Sequence, residues 1–131
     1  MNIKQKEVLL KGINATRIAQ RKGGGGRSLS YLEAWDVKAH LIRIFGFGGF
    51  SSEVLTSELV FEEKMEKNWS VGYKVELRLH IKELDATYTE AAVGSAMLPQ
   101  RGEAHDMAVK TAESDALKRA AINLGDQFGL S

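Results

Sequence analysis

Cations flank a run of four glycines, and this segment offers the clearest chemistry in the sequence. Arg21 and Lys22 precede residues 23–26, which are all glycine, and Arg27 follows them. Glycine-rich loops present backbone amides to phosphates, and the flanking cations add positive charge. The segment lacks the Gly-Lys-Ser/Thr ending of a P-loop and the hydrophobic strand before it, which argues against nucleotide hydrolysis. For the loop alone, phosphate binding and a flexible linker are equally good interpretations.

A second set of cations lies near the end of the chain. Lys110, Lys118 and Arg119 fall in a segment with helical periodicity, where about 100° per residue places the two lysines within roughly 80° of each other. They could line a groove for a nucleic-acid backbone. Because Glu113 and Asp115 lie among them, an ordinary solvated helix face is the better interpretation of this helix alone.

Other residue types that could do chemistry lack the spacing that chemistry needs. His40, His80 and His105 stand apart without a metal-ligand pattern, and no catalytic triad, acid–base carboxylate pair or dinucleotide fingerprint is found. The sequence has no cysteine, so disulfides and thiolate zinc sites are impossible, and a reducing compartment is the simplest setting. We expect a protein that is not an enzyme and has no metal site and no cofactor.

Length and charge bound the organisation of the chain. Its 131 residues are enough for one domain, residues 1–131, and too few to expect two. The net charge of +1 hides a gradient, because residues 1–50 carry nine Lys/Arg against three Asp/Glu, whereas residues 51–90 carry five against nine. That asymmetry suggests an anionic partner, although a solvated basic helix face explains the charge equally well. No apolar run suggests a signal peptide or a membrane span, so we expect a soluble intracellular protein with no membrane partner.

The elements that must position these cations follow from the hydrophobic pattern. Apolar residues at loosely helical spacing predict one amphipathic helix from Ile3 to about Ile18. A short strand is predicted at Ser28–Leu32, and Ser30 followed by Glu33 has the spacing of a capping box for a second helix, which Gly46 ends.

The middle and end of the chain predict an α+β fold. From Tyr73 to Ile81 every second residue is apolar, which is typical of a strand with one buried face. Strands over residues 53–64 and 86–97 complete a three-stranded antiparallel β-meander. After a break at residues 99–102, alanines and leucines at spacings of three and four predict a long helix that packs on the sheet. We expect a β-β-β-α core preceded by helices.

Two of these segments resemble the annealing domain of the Rad52 family. The first comprises residues 21–33, with the glycine run, together with the helix that leads into the aromatic and glycine-rich turn at residues 44–50. The second, residues 114–125 (Ser-Asp-Ala-Leu-Lys-Arg-Ala-Ala-Ile-Asn-Leu-Gly), is similar to the terminal helix of that domain. The two motifs lie in order on either side of the meander, so the resemblance covers nearly the whole chain.

The resemblance implies ATP-independent binding of single-stranded DNA and annealing of complementary strands in recombination and repair. It also implies a ring or helical filament of identical subunits with DNA in a basic groove. Residues that match the family's inner DNA site are Arg21, Tyr31, Lys110, Lys118 and Arg119. We add Lys22 and Arg27 beside the glycine run, and Arg101 in a region where the family carries lysines. A further Arg of the family is Ile122 here, so the groove should be less basic.

Three further expectations and two alternatives accompany this interpretation. The short tail after the last helix favours a minimal annealing protein of the bacteriophage recombination type. Such a protein would work in the host cytoplasm, or in the nucleus if the source is eukaryotic, and a single-strand-binding protein is a further expected partner. A double-stranded-RNA-binding module has the same order of elements, and a structural self-assembling protein would bind nothing anionic.

Overall fold

The computed structural model describes residues 1–22 and 28–129, and for residues 22 and 28–30 only the backbone. The glycine run and Arg27 therefore lie outside the described residues, as does the side chain of Lys22. The helices are α1 (Ile3–Leu10), α2 (Ala34–Phe45) and α3 (Arg101–Ile122), with 3₁₀ turns at Ala15–Arg17 and Asp126–Phe128. The strands are β1 (Ile18–Lys22), β2 (Ser28–Leu32), β3 (Phe50–Met65), β4 (Asn68–Ile81) and β5 (Ala86–Leu98).

The predicted meander and its packing helix are confirmed. Strands β3, β4 and β5 form one antiparallel sheet in that order, and α3 packs against β4 and β5. In the central strand Val75, Leu77 and Leu79 are buried, because alternate side chains point to one face and that face meets the helix. The fold is α+β.

Alanines bring α3 close to the sheet. Ala104, Ala108, Ala112 and Ala116 recur every four residues and are all fully buried. Opposite them, a Cβ atom at Gly94 would lie 2.3 Å from the backbone nitrogen of Ala112. The close contact therefore requires small residues on both sides, and it fixes where the cations of α3 stand above the sheet.

The prediction of one helix from Ile3 to about Ile18 is wrong beyond Leu10. The chain leaves the helix near Gly12, and the Asn14 side chain then accepts a hydrogen bond from the Thr16 amide at 2.9 Å, starting a 3₁₀ turn. Gly12 and Asn14 are both poor helix formers. The following strand β1 pairs antiparallel with β2, with Arg21 opposite Leu29. Residues 11–17 are therefore a loop with a 3₁₀ turn, and the β1–β2 hairpin begins at Ile18, where the helix was predicted to end.

The predicted start of α2 is also wrong. Ser30 lies in β2, the helix begins at Ala34, and Glu33 occupies the N-cap position without a side-chain capping bond. The Glu33 carboxylate instead accepts a hydrogen bond from the Tyr31 hydroxyl at 2.9 Å. The predicted strand Ser28–Leu32 and the end of α2 at Gly46 are confirmed.

A buried polar cluster ties both ends of the chain to the base of the β1–β2 hairpin. The Arg17 Nη2 atom lies 2.9 Å from Asp36 Oδ2, and Arg17 Nη1 donates to Gln127 Oε1 at 2.7 Å. Gln127 in turn donates to the carbonyl of Lys11 at 2.7 Å, so the buried charges have partners. None of the described helices is long and apolar enough to span a membrane.

Candidate nucleic-acid interface

Two adjoining depressions lie along α3, where it meets the β1–β2 hairpin and β5. The first has a volume of about 290 Å³ and the second of about 320 Å³, and both are lined by Arg21, Asp115 and Lys118. Tyr31 and Arg119 line the first, and Lys110 lines the second. We name the two depressions together the α3 groove.

Tyr31 lines the first depression of the groove, between cations from two other elements. The Arg21 Cζ atom is 5.3 Å from the centroid of the Tyr31 ring, and Lys118 Nζ is 5.5 Å from it. These are cation–π distances. The hydrogen bond from the hydroxyl to Glu33 raises the pKa of Tyr31, with smaller contributions from burial and from the charge of Glu33. Tyr31 thus joins a hairpin cation to a helix cation.

Lys118 does not belong to an ordinary solvated helix face. Its side chain is only 10% exposed, and its ammonium lies 3.2 Å from Asp115 Oδ1. The β1–β2 hairpin covers it through Tyr31, which is a contact that the helical spacing alone cannot reveal. The solvated-face interpretation is therefore wrong for this residue.

The two other cations of α3 that line the groove are more exposed. Arg119 Nη1 donates to the carbonyl of Ala91 at 2.9 Å, and its Nη2 atom lies 3.7 Å from Glu90 Oε2. Lys110 Nζ lies 2.8 Å from Asp106 Oδ2 one helical turn away. Each of these cations has a carboxylate partner, whereas Arg21 has none among the described residues.

Arg101 stands apart from the α3 groove. It begins α3, about 25 Å along the helix axis from Lys118 at 1.5 Å per residue. Its guanidinium binds Glu62 through two hydrogen bonds of 3.0 Å and lies 5.0 Å from the ring centroid of Trp69. The hydrogen bonds from Arg101 and from His105 lower the pKa of Glu62. A DNA contact by Arg101 stays a prediction, at a place separate from the groove.

The sequence interpretation gave no place in the site to Glu33 and Glu90, and it treated Asp115 only as a sign of a solvated helix face. Asp115 and Glu33 line the groove, and Glu90 pairs with Arg119 from β5. The spacing of three residues between Asp115 and Lys118 is a visible signal for an ion pair on a helix. Among the described residues, no group of three or more His, Asp or Glu side chains could hold a metal ion.

The fold and the groove together define an α+β domain whose terminal helix and hairpin bring cations to one surface. Residues 2–131 match the model of the Rad52/22 family of double-strand break repair proteins. The chain belongs to this family, as the resemblance of its two motifs predicted.

Fungal relatives support the assignment. The chain is 34% identical over 130 residues to the DNA repair and recombination protein rti1 of Schizosaccharomyces pombe, covering 96% of this chain and 34% of that protein. It is 34% identical over 116 residues to rad22 of the same yeast and 30% identical over 114 residues to RAD52 of Saccharomyces cerevisiae. Both matches cover 86% of this chain and 24% of the relative. The chain thus spans about a third of rti1 and about a quarter of the other two relatives, and a bacteriophage origin stays a prediction.

Proposed function

We propose that the chain binds single-stranded DNA along the α3 groove and anneals complementary strands in recombination and repair, as a homo-oligomer and without covalent chemistry. The observation that carries the proposal is the convergence of Arg21, Lys118 and Arg119 around Tyr31. These residues come from β1, α3 and β2, so the fold rather than local sequence assembles them. Three cations on one groove suit a polyanionic backbone.

The chemistry of the groove favours contact with phosphates over contact with bases. Arg21 and Lys118 both lie over the Tyr31 ring, and its hydroxyl is bound to Glu33. The groove therefore offers ammonium and guanidinium groups more readily than a free aromatic face. A strand held by its phosphates leaves its bases available for pairing, and binding of this kind is nearly indifferent to sequence.

The proposed oligomer uses the free edges of the sheet. Strand β3 is an edge strand, and Leu59 and Val60 on it are 50% and 54% exposed. At the other edge, Val93 and Met97 of β5 are 56% and 53% exposed. An exposed apolar edge strand can pair with a strand of another chain. If that chain is a second copy of this protein, the pairing builds a homo-oligomer. Sedimentation at micromolar concentration should show assemblies. A 14.4 kDa monomer alone, with and without DNA, would contradict this.

A binding experiment with charge-neutral variants tests the DNA path. We expect Lys118→Gln with Arg119→Gln to weaken binding of a labelled single strand, measured by fluorescence anisotropy over a salt series. The slope of log affinity against log salt should fall by about 1.4, because each phosphate contact contributes about 0.7 on single strands. Arg21→Gln should weaken binding in the same direction.

The matched control is Lys74→Gln. Lys74 lies opposite Glu58 in the register of β4 and β3. It is exposed and next to buried Val75, which places it on the face of the sheet away from α3, so its loss should leave affinity and salt slope nearly unchanged. Loss of binding in the control together with full binding by the groove variants would refute the proposed path. Preference for duplex RNA would favour the RNA-binding alternative, and binding to neither nucleic acid would favour a purely structural protein.

A further inference from the structure

We infer that Asp115 is an internal competitor for DNA, occupying the Lys118 ammonium in the free protein and holding the affinity for single strands below what the groove cations could give. This inference rests on the proposed function of the α3 groove. It adds a residue that tunes binding without contacting a strand itself.

The position of Asp115 supports the competition. Its carboxylate lies 3.2 Å from Lys118 Nζ, and it is 42% exposed while the lysine side chain is 10% exposed. Asp115 also lines both depressions of the groove. A phosphate that approaches the sheltered ammonium from the groove therefore meets the Asp115 carboxylate, and two anions at one cation repel each other.

The two other α3 cations of the groove also pair with carboxylates, but at more exposed positions. Arg119 and Glu90 are separated by 3.7 Å, and the exposed pair Lys110–Asp106 by 2.8 Å. Exposed ion pairs contribute little because water and salt screen them. The pair with the most sheltered cation, Asp115 with Lys118, should therefore have the largest effect on binding.

Because a DNA phosphate must replace the Asp115 carboxylate at Lys118, this contact adds less to the free energy of binding than a contact with an unpaired lysine would. In the wild-type protein a phosphate replaces a carboxylate that Lys118 already binds, so only the difference between the two interactions favours the complex. Without Asp115 the sheltered ammonium would have no ionic partner among the described residues of the free protein, and the phosphate would provide one.

The test compares Asp115→Asn with Glu113→Gln on the same helix. Glu113 is exposed and forms no ion pair with the described residues, and at about 100° per residue it lies roughly 160° around the helix from Asp115. Both changes remove one negative charge. Anisotropy with a labelled oligothymidylate should show about tenfold tighter binding for Asp115→Asn, equivalent to ~1.4 kcal/mol, with slower dissociation. Glu113→Gln should change affinity less than about twofold, as expected for a surface charge away from the site.

Adding Lys118→Gln completes the test, because the effect of Asp115→Asn should then disappear. Asp115→Ala serves for the same comparison if thermal unfolding shows that the Asn variant does not fold. Equal effects of Asp115→Asn and Glu113→Gln, or weaker binding by Asp115→Asn, would overturn the inference while leaving the proposed function intact. Failure of the wild-type protein to bind the oligonucleotide would instead refute the proposed function.

Discussion

Substitution of Gly94 by alanine tests the contact that positions α3 over the sheet. A Cβ atom there would lie 2.3 Å from Ala112 N and 2.7 Å from Ala108 O. Both are backbone atoms, so no side chain can rotate away. Because heavy atoms pack at about 3.5–4.0 Å, the helix would have to move outward by roughly 1 Å. Overpacking of this kind costs about 1–3 kcal/mol, and a backbone clash belongs at the upper end, so we expect a loss of about 3 kcal/mol in the free energy of unfolding.

Urea denaturation followed by far-ultraviolet circular dichroism measures this loss. Gly102→Ala is the matched control, since its Cβ would meet nothing within 4 Å and it lies in the first turn of α3. Alanine there should stabilise the protein by up to about 1 kcal/mol. Neutral surface substitutions change the free energy of unfolding by up to about 0.5 kcal/mol. If Gly94→Ala changes it by no more than that, α3 does not pack against Gly94 as closely as described.

Two further predictions concern Tyr31 and His40. Tyr31→Phe keeps the ring that Arg21 and Lys118 approach, so it should retain single-strand affinity within about threefold. Tyr31→Ala should lose more affinity, since cation–π contacts contribute about 0.5–2 kcal/mol. Equal losses of affinity for the two variants, measured by anisotropy, would show that the ring does not position the two cations. Burial, and next the charge of Arg17, lower the pKa of His40, which also faces Arg43 and Asp36. The folded state then takes up a proton less readily than the unfolded state, so the stabilisation is complete above the unfolded pKa of about 6.5 and decreases as pH falls below it. Thermal unfolding midpoints from about pH 7.5 to 5 should fall more steeply for the wild-type protein than for His40→Asn, and parallel curves would contradict this sign.

Sequence periodicity was sufficient to predict the elements that bury only one face against a single neighbouring element. The alternation from Tyr73 to Ile81 predicted β4, because one face of that strand is covered by α3. The alanine spacing predicted α3 for the same reason. In contrast, β1 owes its conformation to pairing with β2, a contact across the glycine run that no property of residues 18–22 announces. Ser30 and Glu33 fit a capping box by spacing alone, yet strand pairing and the Tyr31 hydroxyl engage them instead.

Five of the predicted residues meet at the α3 groove, but the geometry of the groove was not predictable, and their contact with DNA stays a prediction. The resemblance named Arg21, Tyr31, Lys110, Lys118 and Arg119, and the structure brings all five to the α3 groove. Lys22 and Arg27 were added for their charge, and their side chains lie outside the described residues. Arg101 was added because it lies where the family carries lysines, but the length of α3 places it near Glu62 and Trp69, away from the groove. The burial of Lys118 does not follow from charge counting, since it depends on where the hairpin lies, whereas its pairing with Asp115 lies within α3 and is allowed by their spacing.

The proposed annealing activity can be measured with two complementary labelled strands, each incubated with protein before mixing and without nucleotide. Fluorescence energy transfer between the strands reports the rate of pairing. We expect the wild-type protein and Lys74→Gln to accelerate pairing above the spontaneous rate, and the double variant Lys118→Gln with Arg119→Gln to lose that acceleration, because phosphates held in the α3 groove leave the bases free to pair. A wild-type protein that binds both strands but does not accelerate pairing, or a double variant that anneals as fast as wild type, would contradict the account.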